Sequence, residues 1–142
     1  MNCRKSTPGY TYIKNGISQT WATNGTLQPG SIIATSSANN IIISGNSLVV
    51  TNRGTYMLDV SVIGTPATAS STVIPTINVN GNAVESAPIT AGATPEMTEF
   101  NVRTVLSLNR GDIITITNTG ASAVTIDPAS TYNVNILIER FN

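Results

Sequence analysis

The sequence predicts an all-β fold of eight to ten short antiparallel strands, arranged as a sandwich, barrel or jelly roll. Three observations lead there. Along residues 54–62, Tyr56, Leu58, Val60 and Val62 alternate with Thr55, Met57, Asp59 and Ser61, the period of a strand with one buried face. Residues 99–108 repeat the pattern, with Phe100, Val102, Thr104, Leu106 and Leu108 on one side. Turn-forming clusters such as Asn24-Gly25, Pro29-Gly30, Asn80-Gly81 and Asn109-Arg110-Gly111-Asp112 separate the alternating runs. No segment carries a helical period.

In chain order, residues 1–16 read as an extended amino-terminal arm. They are polar, hold Pro8-Gly9 and close on Asn15-Gly16, with Tyr10, Tyr12 and Lys14 alternating with Thr11 and Ile13. The jelly-roll domain is placed at 17–142. Its first strand, 17–23, carries Trp21, and 31–35 is a short strand. Residues 41–43 and 47–51 pair around Ser44-Gly45-Asn46. The stretch 64–72 reads as a loop. In 73–78 Pro75 cannot donate to a ladder, which predicts an edge strand or a late start. Asn80-Gly81 predicts a two-residue hairpin turn between 77–79 and 83–85. Residues 87–96, with Pro88, Gly92 and Pro95, read as a long loop. Strands follow at 113–118, 124–126 and 132–140, the last with Val134, Ile136 and Ile138 on one face and Leu137 and Phe141 on the other.

The 142 residues suffice for one domain with a single core. Only 10% are charged, against roughly 25% in an ordinary soluble domain, and the seven basic and seven acidic residues cancel. Such a chain is not held apart from its copies by repulsion, so self-association is expected. The scattered Lys and Arg exclude a nucleic-acid footprint, and no apolar run approaches the roughly 18 residues of a membrane-inserting helix. Residues 1–8 lack the apolar centre of a signal peptide, so a surface location reached without the general secretory route is expected. Cys3, the single cysteine, is free or paired between subunits.

Catalysis is not expected. The chain has no histidine, so the commonest general base and transition-metal ligand is missing, and one thiolate cannot hold zinc. Of the seven carboxylates only Glu96 and Glu99 lie close in sequence, at a loop-to-strand junction that suits a solvated edge. Asp59 and Asp112 read first as an outward strand residue and a turn residue, and second as calcium ligands. No cofactor or metal is expected. Trp21 near Asn24 is read as core or subunit interface before it is read as a glycan contact. The sequon Asn24-Gly25-Thr26 carries no weight without a secretory signal.

Two segments carry a resemblance. Gly54-Thr55-Tyr56-Met57-Leu58-Asp59-Val60-Ser61-Val62 and Leu106-Ser107-Leu108-Asn109-Arg110-Gly111-Asp112-Ile113-Ile114, with the hairpin Ile77-Asn78-Val79-Asn80-Gly81 between them, resemble the strand and turn patterns of complement- and tumour-necrosis-factor-like jelly rolls on bacterial spore surfaces. The resemblance spans roughly 17–141. It implies a jelly roll, a compact homotrimer, and a structural place on a spore or cell surface reached by lysis of the mother cell. The chain lacks the collagen-like stalk of some members, and its Cys-bearing arm is similar to the arms that link jelly-roll spore-appendage subunits. On this reading the protein is a self-assembling structural subunit of a layer or filament, with Cys3, Tyr10, Tyr12, Ile13 and Trp21 as its inter-subunit contacts. The alternative is a trimeric glycan- or receptor-binding head of a surface or phage fibre.

Overall fold

The structure, a computed structural model, describes residues 9–36, 40–127 and 133–142. Among them are fourteen strands and no helix: β1 (Gly9–Asn15), β2 (Gln19–Trp21), β3 (Ser31–Thr35), β4 (Ile41–Ser44), β5 (Ser47–Val50), β6 (Gly54–Pro66), β7 (Thr72–Val73), β8 (Pro75–Val79), β9 (Asn82–Ser86), β10 (Ile89–Thr90), β11 (Thr98–Leu108), β12 (Ile113–Asn118), β13 (Val124–Ile126) and β14 (Val134–Arg140). Two sheets hold twelve of them. The first runs β2-β13-β6-β14-β1-β3 with β11 also on β6, and the second runs β4-β5-β12-β8-β9. All pairings are antiparallel, and β7 and β10 form a separate two-stranded ladder.

β6 is the hub. Along 54–64 it pairs with β11, along 56–62 with β14, and at Thr65 and Pro66 with β13. Its alternation drives Tyr56, Leu58, Val60 and Val62 inward, where they meet Phe100, Val102, Ile136 and Ile138 of the same sheet and Leu48, Val50, Ile77, Ile114 and Ile116 of the second. At roughly 25 cal/mol per Å2 of apolar surface removed from water, this continuous layer is the main stabilising term. β6 outruns its expected end because Gly64 lets β13 approach. A Cβ there would lie 2.6 Å from Val124 Cγ1 and 2.8 Å from the Thr125 carbonyl oxygen. The expected loops 64–72 and 87–96 thus contain the end of β6 and the β7–β10 ladder, each of whose strands is two residues long and shows no readable period.

The two strong turn signals do different jobs. Asn80 and Gly81, both at positive φ, close the β8–β9 hairpin with Val79 opposite Asn82. The 109–112 turn instead carries the chain from one sheet to the other, since β11 pairs with β6 and β12 with β5 and β8. β8 lies inside its sheet rather than at an edge, and Pro75 is tolerated because it is the first residue of the strand.

The amino-terminal boundary needs correction. Residues 9–15 are not part of an arm. β1 pairs with β14 over its whole length, Gly9 opposite Arg140 through Asn15 opposite Val134, and with β3 on its other side. The folded domain therefore includes Gly9–Asn15 instead of starting at 17. Its inward residues are Thr11, Ile13 and Asn15, of which one alone is apolar, so the buried face is invisible as a pattern. Asn15 is satisfied inside: its amide donates to the Gln28 carbonyl at 3.0 Å, and its side-chain oxygen accepts from the Ile17 N–H at 2.9 Å.

Candidate interaction face

The residues between the buried positions of β1, β14, β6 and β11 form the outer face of the first sheet. Register arranges them in rows. Tyr12, Leu137, Asp59 and Arg103 lie side by side across the four strands; Tyr10, Glu139, Met57 and Val105 form the next row on one side; and Lys14, Asn135, Ser61 and Asn101 form the row on the other. Neighbours in a row are close enough for side chains to interact directly.

At the middle of the face is a recess of about 220 Å3, lined by Tyr12, Asp59, Ser61, Glu99, Asn101, Asn135 and Leu137. Its polar groups are partly organised. The Asn101 amide donates to Asp59 Oδ1 at 2.8 Å and to the Val60 carbonyl at 2.9 Å, and the Ser61 hydroxyl donates to Glu99 Oε1 at 2.9 Å. The Lys14 ammonium stands 5.0 Å above the Tyr12 ring, within cation–π range. A shallower recess of about 390 Å3 lies at the end of the same sheet, lined by Gly9, Tyr10, Ser36, Glu139, Arg140 and Phe141.

The expected contact residues divide. Tyr10, 46% exposed, and the half-buried Tyr12 stand on this face. Ile13 and Trp21 do not. They are 0% and 1% exposed within a single chain, so as inter-subunit contacts both are corrected to core residues. Ile13 points into the sandwich from the middle of β1. Trp21 ends β2, and its Nε1–H donates to the Gly25 carbonyl at 3.0 Å, which satisfies its one polar atom inside the turn that follows. Cys3 lies outside the described residues. Sequence reasoning did not single out Leu137, Asn101 or Arg103 as contacts. Alternation on β6, β11 and β14 does point them outward, but which strands lie adjacent is a tertiary fact.

One carboxylate outside this face serves the fold. Asp112 holds the 109–112 turn: its Oδ2 accepts from the Asn109 N–H at 2.8 Å and its Oδ1 from the Asn80 amide at 3.0 Å, and these bonds hold its carboxyl below the usual 3.8. Asn80 Oδ1 in turn accepts from the Ile113 N–H at 3.0 Å, so the turn and the hairpin are tied together. Asp59 thus lies on β6 of the first sheet and Asp112 in the turn that precedes β12, each bonded to an asparagine. Glu99 is hydrogen-bonded within the first sheet's outer face, while Glu96 precedes β11. Among the described residues no three His, Cys, Asp or Glu side chains form a group able to hold a metal. The geometry suits non-covalent recognition by a surface of mixed charge.

Against known proteins, the chain superposes on murine APRIL, from a crystal structure at pH 5.0, with a TM-score of 0.69 and 12% sequence identity, covering 95% of this chain and 100% of that one. The fold is a tumour-necrosis-factor-like jelly roll. No protein-family model matches the chain, and no curated protein matches it in sequence.

Proposed function

We propose that this protein is a non-enzymatic, self-assembling structural subunit that associates, as a homotrimer, through the outer face of its first sheet, and that it builds a layer or filament on a bacterial spore or cell surface. One observation carries the reading. In a chain with seven basic and seven acidic residues, five charges of both signs (Lys14, Asp59, Glu99, Arg103 and Glu139) share this one face with Tyr10, Tyr12, Leu137 and Val105. A face carrying both signs is complementary to a copy of itself, and charged pairs give such contacts their specificity and register. Tumour-necrosis-factor-like jelly rolls commonly form trimers, which supports the stoichiometry. Because Gly9–Asn15 lies inside the domain, a linking arm on this reading precedes Gly9 and includes Cys3.

Light scattering of the eluting protein tests the trimer, and negative-stain electron microscopy with and without reductant tests the filament. Three chain masses, and fibres that shorten on reduction, are expected. A single chain mass at all concentrations overturns the reading. A second reading, a glycan- or receptor-binding head, draws on the recess beside Tyr10 and Phe141, where half-exposed aromatic rings adjoin Glu139 and Arg140. Glycan-array binding that is lost in Tyr10→Ala would favour it.

A further inference from the structure

We infer that Arg103 of one copy docks into the central recess of a second copy, between its Asp59 and Glu99, and that this contact fixes the geometry of self-association. The inference rests on the self-association proposed above and assigns its specificity to named groups. Arg103 is exposed on β11, which pairs with β6 on one side only within its sheet. Among the described residues its guanidinium makes no hydrogen bond and no ion pair, although Asp59 stands directly opposite in the same chain. The receiving groups are open in a matching way. Asp59 spends Oδ1 on Asn101 and Glu99 spends Oε1 on Ser61, which leaves Asp59 Oδ2 and Glu99 Oε2 facing no donor among the described residues.

Guanidinium suits this site better than ammonium. It presents five N–H donors in a planar fork and can bond two carboxylate oxygens at once, and its aliphatic stem packs on apolar surface such as Leu137. The recess, at about 220 Å3, has room for that head group. Donor and receptor stand on one face of one chain, so around a threefold axis each copy can donate to the next without a foreign partner. This argument from charge complementarity commits the recess to a second copy rather than to a small ligand.

Cross-linking tests it in the full chain with Cys3→Ser. Residues 99 and 103 are four positions apart on one strand, about 13 Å at the usual rise, beyond the roughly 7 Å reach of a disulfide. Glu99→Cys combined with Arg103→Cys can therefore link only between copies. Covalent dimers and trimers are expected on a non-reducing gel, with far less product from either single variant. Arg103→Gln, which puts no new charge opposite Asp59, is expected to weaken association roughly a hundredfold in sedimentation equilibrium while leaving the β-type circular dichroism unchanged. If the double variant stays unlinked while the wild-type mass is oligomeric, or if Arg103→Gln associates like wild type, the Arg103 contact is overturned and self-association stands. A monomeric wild type overturns both.

Discussion

The two sheets present their outer faces very differently. On the first, rows of ionic, aromatic and amide side chains surround a polar recess, with Arg103 beside Asp59 and Glu139 between Tyr10 and Met57. On the second, Ile42, Val49 and Ile113 stand in register across β4, β5 and β12, and Thr115 faces Asn78 on β8. Both sheets bury the same kind of aliphatic layer inside, so stability does not dictate the contrast. The second face is what strand propensity alone would select, since β-branched residues fit a pleated half-buried surface and pair well across strands. The first face spends positions on charges that contribute little to a monomer, because exposed pairs are worth at most about 1 kcal/mol. Their value lies in direction, which an aliphatic stripe cannot supply.

The largest expected effect tests the border between core and face. Trp21→Ala should cost about 3–5 kcal/mol in urea denaturation, as large-to-small changes of buried aromatics do. A loss under about 1 kcal/mol would return Trp21 to the surface and undo its reassignment. Next, Leu137→Lys should lower the oligomer mass while the monomer stays folded, because the change falls in the middle of the first face; an unchanged mass would remove that face's special standing. A weaker effect belongs to the acid limb of the pH profile. Asp112 has its folded-state value below 3.8, so its contribution to stability is present above that pH and is lost as pH falls through the lower folded value. Asp112→Asn should flatten that part of a stability curve followed by fluorescence, and an identical slope would remove Asp112 as its source. The smallest effect is expected on the second face, where Ile42→Thr should change stability by under about 0.5 kcal/mol and leave the mass untouched. Dissociation caused by Ile42→Thr would invert the comparison.

Much of this was legible in the sequence, for reasons visible in particular residues. β6, β11 and β14 were readable because the inward residues are nearly all large and apolar while their neighbours are mostly polar. Asn80-Gly81 was readable because few residue pairs accept positive φ at both positions. β1 was not, since its buried face is Thr11, Ile13 and Asn15, and polar burial follows no period. The same limit applies to the face. Alternation shows that Tyr12, Asp59, Arg103 and Leu137 point outward, one strand at a time. That these four, scattered over most of the chain, form one row depends on strand order, which local sequence does not encode.

The order of strands in the first sheet also bears on how the chain is made. β14 lies between β6 and β1, so a strand made after the other thirteen described strands occupies the middle of the sheet. Until it leaves the ribosome, β1 has only the five residues of β3 to pair with, and β6 keeps one open edge along 56–62. This sheet therefore closes only once β14 has emerged, and until then the nascent chain carries an unpaired edge on β6. Loss of β14 would not trim a tail. It would separate β1 and β3 from the rest of the sheet and leave two edges exposed.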